Sequence, residues 1–372
     1  MLRARILLWI VLIVLLFLPG RHAVPATVTI KDVIANVRAN ELLYDDCEAV
    51  LRVEYSLIRN PATFPDDSMH EVTHSSSTAK YVLQKGMFRL SLDQESRNTG
   101  SADASQTTRF RVFDGNVSQV KENNIVNIVD GRRLDEHIIR PHMMIVQSAT
   151  YAVPLSTYLE GRAAVIAVAG PKAIGEDTNI LVEYAGEDIV DGRRCHKLDC
   201  RNVDVPSGTI TLRLQMWLAP DRNWIPVRLH EYKPRWSNSK PICEASVMTF
   251  RQVAPGVWCP SEARVKFFDH TLLQKTGEQL VTWERSYFME QFSLNPNYPL
   301  SFFQEFEIPT GAVVFNVNSA GEITAGRIEG TPDAGHPRPV WRNWAILLNG
   351  LVVCVLLAIY FYYLRRRKAH LH

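Results

Sequence analysis

Residues 47–57 read CEAVLRVEYSL, and apolar side chains occupy every second position of this stretch. Successive side chains of a β-strand point to opposite faces, so a period of two places the apolar set on one face. The stretch is therefore predicted to be a strand with one buried face, as in an antiparallel sheet.

Similar patterns recur along the chain and are separated by short turn signals. Lys85-Gly86, Asp114-Gly115 and Asp191-Gly192 each lie between alternating segments, and Asp-Gly is a strong hairpin signal. Residues 209–218 alternate in the same way. The pattern predicts an α+β fold that is mainly antiparallel β: a curved half-barrel sheet of about ten strands.

Two places depart from this period. Thr29 can cap an amphipathic helix over residues 30–43, because the apolar positions there follow helical spacing. Residues 131–175 interrupt the strand pattern, and 134–140 and 156–161 read as short helices. We expect the N-terminal helix and this insert to lie over the open face of the sheet as a lid.

The N-terminus has the pattern of an export signal. Arg3 and Arg5 precede an apolar run over residues 6–18, which is shorter than the roughly 20 residues that span a bilayer. Residues 1–26 are therefore predicted to be a signal peptide cleaved after Ala26. The alternative is an uncleaved anchor, which leaves the following domain on the same side of the membrane.

The C-terminal part has the pattern of a membrane anchor. Residues 344–364 form an apolar run long enough to span a bilayer, and the basic tail 365–372 is expected to stay in the cytoplasm. Residues 319–343 are rich in Gly and Pro and predict a flexible linker. The chain is thus predicted to be a single-pass protein whose domain, 27–318, is extracytoplasmic, on the periplasmic side.

Composition narrows the function further. The chain has 372 residues with a formal net charge of +2. Its sequence has no basic stripe interleaved with aromatic residues, so it does not have the pattern of a nucleic-acid-binding protein. Five of its six cysteines precede the predicted span, in a compartment where disulfides can persist. Because five is an odd number, at least one should be unpaired, and the pairing stays open.

Short motifs along residues 27–318 resemble those of a known superfamily. They are Gly86-Met87-Phe88-Arg89, Val112-Phe113-Asp114-Gly115-Asn116, Trp217-Leu218-Ala219-Pro220-Asp221, Trp224-Ile225-Pro226-Val227 and Gly256-Val257-Trp258-Cys259-Pro260. With the order of elements around them, they resemble the LolA-like periplasmic lipoprotein carriers, including RseB-type sensor domains. The resemblance implies a half-open barrel whose concave face holds acyl chains. The predicted span favours sensing or local handling at one membrane over free shuttling.

The residues themselves also suggest a ligand site. A sheet with one apolar face has to cover it, and one helix with a broken insert is modest cover for so many strands. The uncovered part is a candidate apolar site. Its predicted lining residues are Leu51, Val53, Tyr55, Phe88, Leu90, Phe110, Val112, Leu212, Leu214 and Met216. The alternative is that these side chains pack against the helices and leave no room.

One motif points to different chemistry. His70-Glu71-Val72-Thr73-His74 matches H-E-x-x-H, in which two histidines one helical turn apart bind zinc and the glutamate activates water. Prolines precede this segment and serines follow it, so a polar loop or edge strand is the favoured interpretation. On a strand the two histidines would lie about 13 Å apart, too far for one metal ion.

Three hypotheses follow. The leading one is a non-enzymatic binding protein, a carrier or sensor for a lipid or lipoprotein acyl chain, with no cofactor, metal or catalytic residue. The alternative is a sensor or scaffold that binds an envelope protein partner. The third is a zinc metallohydrolase that uses His70 and His74.

Overall fold

A computed structural model of the chain describes residues 28–57, 72–98, 104–131, 137–147, 149–150, 153–161, 178–318 and 322–329. These residues form fifteen strands of one sheet. The strands are β1 Cys47–Leu57, β2 Val72–Gln84, β3 Met87–Asn98, β4 Ala104–Phe113, β5 Val117–Glu122, β6 Ile125–Asp130, β7 Thr178–Val190, β8 Arg193–Asp204, β9 Ile210–Ala219, β10 Ile225–Tyr232, β11 Cys243–Ala254, β12 Val257–Phe268, β13 Val281–Leu294, β14 Val313–Val317 and β15 Ile323–Ile328.

Helices are few and short in the described part of the chain. They are α1 Ile30–Glu41, α2 Leu155–Leu159, α3 His270–Thr276 and α4 Ser301–Gln304, with 3₁₀ turns at Leu42–Tyr44, Pro141–Met143 and Pro220–Arg222. Thr29 caps α1 as predicted, because its hydroxyl accepts from the Asp32 backbone N–H and the Asp32 carboxylate accepts in return. Helix α1 ends at Glu41, two residues earlier than expected, and a 3₁₀ turn follows.

The strand order is β15-β14-β6-β5-β4-β3-β2-β1-β13-β12-β11-β10-β9-β8-β7. Neighbours pair antiparallel except β14 and β6, which run parallel. Strand β1 lies in the interior of the sheet, between β2 and β13, so the alternating stretch 47–57 is hydrogen-bonded on both sides. A β-bulge between Val50 and Leu51 shifts its register against β13.

The predicted architecture needs correction. A half-barrel of about ten strands is wrong, because the sheet has fifteen strands and is open, with β7 and β15 at its two edges. Strands β14 and β15 were not predicted: they form a short antiparallel hairpin, which joins the sheet where β14 pairs in parallel with β6, far away along the chain. Strand β15 also lies within 319–343, the segment assigned to a linker.

The predicted membrane anchor is not part of the described structure. Within the ranges given above, no helix is both long and apolar enough to cross a membrane. The predicted span 344–364, the basic tail 365–372 and the signal peptide 1–26 all lie outside those ranges.

One face of the sheet, here called the inner face, carries the main core. It contains the odd-numbered side chains of β1 and the residues that lie opposite them on neighbouring strands, and Leu51, Phe88, Leu90 and Leu214 are fully buried there. Each such side chain contributes about 1.5–3 kcal/mol by leaving water. A single buried cluster extends across this face from β3 to β8.

Helix α1 and the described residues of 137–161 lie over part of the inner face, which we call the covered end. The Tyr81 hydroxyl donates to the Ile139 carbonyl at 2.5 Å, and the Tyr158 hydroxyl donates to Asn202 Oδ1 at 2.8 Å. The Glu41 carboxylate at the end of α1 accepts from the first backbone N–H of α2 at 2.7 Å. Hydrogen bonds therefore fix the cover to the sheet and its two helices to each other.

Asn223, in the turn between β9 and β10, connects the pieces of the covered end. Its side-chain amide donates to Asn40 Oδ1 at 3.1 Å and to the Gly256 carbonyl at 3.0 Å. Its Oδ1 accepts from the Trp258 backbone N–H at 2.7 Å, and its own carbonyl accepts from His142 Nε2 at 2.8 Å. The backbone there is left-handed, with φ of 56°, a conformation that Asn tolerates better than most residues.

Candidate functional site

The inner face continues beyond the covered end into a half-buried region, here called the aromatic end. Its members are Val53, Tyr55, Leu57, Phe267, Trp283 and Arg285. Register places them on one face, since Tyr55 lies opposite Arg285, Leu57 opposite Trp283, and Trp283 opposite Phe267. Val53 and Phe267 pack directly against the main core. The aromatic end is therefore the continuation of the core toward solvent.

Its rings are in mutual contact. The Phe267 and Trp283 rings stack with centroids 3.5 Å apart, and Tyr55 tilts against Trp283 at 5.4 Å. Arg285 lies over the Trp283 ring at 5.3 Å and donates to the Tyr287 hydroxyl at 3.2 Å. Planar apolar surface with a cation and a hydroxyl beside it can bind an apolar chain and orient a polar or anionic group.

A cross-strand row links this region to the other side of the sheet. From Leu57 the row passes through residues that lie opposite one another in the register, namely Trp283, Phe267, Cys243, Glu231, Leu214 and Cys200. Side chains on one row of one face are neighbours. The row therefore connects half-buried aromatic rings with the fully buried core through a single acidic residue.

The predicted lining residues fall into three groups. Leu51, Phe88, Leu90, Leu212, Leu214 and Met216 lie on the inner face and are buried. Val53 and Tyr55 lie on the same face and are half-buried, within the aromatic end. The structure thus brings together eight of the ten residues.

Phe110 and Val112 lie on the opposite, outer face. In the register of β3 and β4, Phe113 lies opposite Phe88 and Val112 opposite Arg89. Phe110 accordingly contacts Phe306, with ring centroids 5.6 Å apart, and Arg89 lies over its ring at 4.7 Å. Both residues belong to the packing beneath the segment around α4, away from the other eight.

The outer face carries a groove of 610 Å³ between the sheet and Phe302. Its lining includes Glu48, Lys80, Arg89 and Glu290. Glu48 accepts from the Tyr298 hydroxyl at 3.0 Å, and Glu290 pairs with Arg52 at 2.8 Å. Charges of both signs make this groove unsuited to an apolar chain.

Sequence reasoning missed the residues that form most of the aromatic end. Phe267, Trp283, Arg285 and the buried Glu231 lie on β10, β12 and β13, and the register of these strands and of the distant β1 brings the residues together. A usable signal was present, since Trp283, Arg285, Tyr287 and Met289 alternate within one predicted strand.

The zinc-site hypothesis requires a helix at the H-E-x-x-H motif, but the described part of the motif, from Val72 onward, belongs to strand β2. His74 is exposed on β2, where it pairs with both β1 and β3, and its Nδ1 lies 3.4 Å from the Ser56 hydroxyl. His70 and Glu71 lie outside the described residues. Within the ranges that the structure covers, no group of three or more His, Cys, Asp and Glu side chains is arranged to hold a metal.

All five cysteines in the described part of the chain are buried and unpaired: Cys47, Cys195, Cys200, Cys243 and Cys259. Burial raises the pKa of Cys47 and of Cys259 to about 12 and that of Cys195 to about 11. A thiol with a raised pKa is a poor nucleophile, because the thiolate is the reactive form. These cysteines therefore act as small core residues.

No family model and no curated protein matches the chain. Solved structures do. They include a DUF1329 family protein from Desulfovibrio piger, with a TM-score of 0.36 and 11% identity over 74% of this chain and 98% of that chain. A putative outer membrane lipoprotein-sorting protein domain from Vibrio parahaemolyticus matches with a TM-score of 0.37 and 9% identity over 74% of this chain and 95% of that one. A LolA superfamily protein from Nitrosomonas europaea matches with a TM-score of 0.37 and 9% identity over 75% of this chain and 98% of that one. The structural neighbours of the chain thus include the superfamily that its sequence motifs resemble.

Proposed function

We propose that this protein is a non-enzymatic binding protein, a carrier or sensor in the cell envelope that holds a lipid or lipoprotein acyl chain at the aromatic end of its inner face. One observation carries the proposal. Half-buried aromatic and aliphatic side chains form a continuous extension of the core, with Tyr55, Trp283 and Phe267 in ring contact. Apolar surface of this kind is a typical sign of a binding site.

The gain from binding there is substantial. Burying apolar surface contributes about 25 cal/mol per Å², so each methylene of a guest contributes about 0.8 kcal/mol. Stacked, rigid rings such as Phe267 and Trp283 have little freedom to lose when a chain lies across them. Arg285, beside Trp283, supports binding of a guest that carries a polar or anionic group at one end.

Native mass spectrometry of the full-length chain, extracted in a mild detergent, tests the proposal. We expect bound lipid or acylated species in the wild-type protein and their loss in Trp283→Ala. The matched control is Phe288→Ala, because Phe288 lies on the same strand but faces the other side, under Arg52. Equal amounts of lipid bound to all three proteins, or none to the wild type, would contradict the proposal.

A protein partner is a second candidate, favoured by the edge of the sheet. Strand β15 is exposed along its whole length, with Ile323 at 64% and Ile328 at 50% exposure. An exposed edge strand can pair with an extended segment of another chain. Crosslinking in membranes separates the two functions: stable protein adducts without co-purifying lipid would favour the partner.

A further inference from the structure

Glu231 is a buried acid in an otherwise apolar part of the inner face. It lies opposite Leu214 on β9 and opposite Cys243 on β11, and both of those residues belong to the main core. Only 8% of Glu231 is exposed. Its position in the cross-strand row is therefore one that an apolar residue would ordinarily fill.

The carboxyl of Glu231 has no hydrogen-bond donor among the residues that the structure describes. The nearest cation is Lys233, whose Nζ lies 3.9 Å from Oε1, beyond hydrogen-bond distance. Lys233 also lies 5.0 Å from the Trp236 ring centroid. Glu231 and Lys233 form a long ion pair, and the buried carboxyl makes no hydrogen bond to a described side chain, an arrangement that costs stability and calls for an explanation.

Burial also favours the neutral form of the acid. Desolvation raises the pKa of the Glu231 carboxyl, and Lys233 offsets this only in part. The other titratable or charged groups facing this region are Cys243 on β11 and, beyond it, Arg285 on β13. A neutral carboxyl group donates one hydrogen bond and can pair with a carbonyl oxygen.

We propose that Glu231 is the polar anchor of the ligand site, donating a hydrogen bond to the ester or amide carbonyl at the head of a bound acyl chain. This inference rests on the proposed function and adds the chemical class of the head group. The cross-strand row supports it, since Cys243 and Phe267 are the only positions between Glu231 and the ring of Trp283. A chain lying over the aromatic end can thus place its head at Glu231.

The test compares methyl laurate with pentadecane, which has the same number of non-hydrogen atoms but no carbonyl. Dissociation constants are measured with the full-length chain by displacement of a fluorescent fatty-acid probe, at matched aqueous activities of the two compounds. The variants are Glu231→Leu and Glu231→Gln. The control is Glu244→Leu, because Glu244 lies next to Cys243 on β11 and faces the other side of the sheet.

We expect the wild type to prefer the ester, and Glu231→Leu to lose about fivefold of that preference while still binding pentadecane. Glu231→Gln and Glu244→Leu should keep it, because Gln retains a donor and Glu244 does not face the guest. An unchanged preference in Glu231→Leu overturns the role of Glu231 and leaves the proposed function intact. Failure of the wild type to bind either compound overturns both.

A pH series keeps the inference testable even if Glu231→Leu does not fold. The ester preference of the wild type should fall as pH is raised from acid to alkaline values through the raised pKa of the Glu231 carboxyl, because the ionised carboxylate no longer donates. Glu231→Gln should show a constant preference over the same range. A constant wild-type preference would overturn the proposal.

Discussion

His142 Nε2 donates to the backbone carbonyl of Asn223 at 2.8 Å, so a histidine of the covering segment is hydrogen-bonded to the turn between β9 and β10. The ring is 1% exposed, and its centroid lies 5.4 Å from that of Tyr44. Its Nδ1 has no hydrogen-bond partner among the described residues. Protonation of the ring would keep this hydrogen bond but would place a poorly solvated charge in the core, so burial favours the neutral imidazole.

Acid should therefore destabilise the fold through His142. Burial lowers its pKa from 6.5 to about 4, so below pH 6.5 the unfolded chain binds a proton that the folded chain does not. The stability is fully present above pH 6.5 and is lost as pH falls toward 4, by about 3 kcal/mol in total. Urea unfolding of the wild type and of His142→Gln at several pH values checks this, with exposed His270→Gln as control. Parallel pH profiles for wild type and His142→Gln would contradict it.

Asn223→Ala should be among the more destabilising substitutions at the covered end. It removes the donors to Asn40 and Gly256 and leaves a residue with Cβ but no polar group at φ of 56°. We expect a loss of about 3 kcal/mol in the free energy of unfolding. Asn295→Ala is the matched control, since Asn295 has φ of 54° but is exposed, and it should cost about 1 kcal/mol. Equal losses in the two variants would argue against the connecting role of Asn223.

Trp283 should report ligand binding directly. Its ring contacts Phe267 and Tyr55 and is half-buried, so an acyl chain laid across it removes water from the indole. Adding a fatty-acid ester should shift tryptophan emission to shorter wavelength in the wild type, and a brominated ester should quench it. Both effects should be strongly reduced in Trp283→Phe, which keeps a ring for stacking. Undiminished quenching in that variant would place the guest elsewhere.

Glu231 should make the protein less stable as pH rises. Burial raises the pKa of the Glu231 carboxyl in the folded chain above its ordinary value of 4.5, so between these two pKa values the folded chain holds a proton that the unfolded chain releases. The contribution is present below pH 4.5 and is lost as pH rises through the folded pKa. The difference in unfolding free energy between wild type and Glu231→Gln, followed from acid to neutral pH, measures it. If the free energy of unfolding of the wild type increases relative to that of Glu231→Gln as pH rises, the prediction is wrong.

The five described cysteines should be unreactive in the folded protein. All are buried and unpaired, and burial raises the pKa of Cys195 to about 11. In a Cys354→Ser variant, iodoacetamide should label almost no thiol under native conditions and all five in urea, as read by mass spectrometry. A reducing agent should leave the melting temperature unchanged. A drop on reduction would show that a disulfide stabilises the protein.

The alternation of apolar and polar residues predicted strands correctly where one face is buried and the other faces solvent. Residues 47–57 form a single strand whose odd positions are buried from Cys47 to Leu51, as the pattern predicts. The same reasoning failed at Phe110 and Val112, because β4 has apolar side chains on its outer face beneath Phe306. Alternation shows which residues share a face, and only pairing shows which face that is.

The aromatic end could be predicted only in part. Val53 and Tyr55 follow from the alternation of β1, whereas Trp283 and Phe267 come together through pairing of β12 with β13. Glu231 gave no signal at all, since an acid within a strand normally points to solvent. The register between paired strands is set by the whole sheet, and the pattern within a single strand does not encode it.

The pairing of β1 with β13 also sets the order of assembly. Cys47 lies opposite Leu294, so an interior strand of the sheet obtains one of its neighbours only after nearly the whole domain has been synthesised. Contacts between such distant residues form slowly. Before β13 is synthesised, one edge of β1 has unpaired backbone N–H and C=O groups that can pair with other nascent chains. A ribosome-bound fragment that ends before Val281 should therefore depend on chaperones to stay soluble.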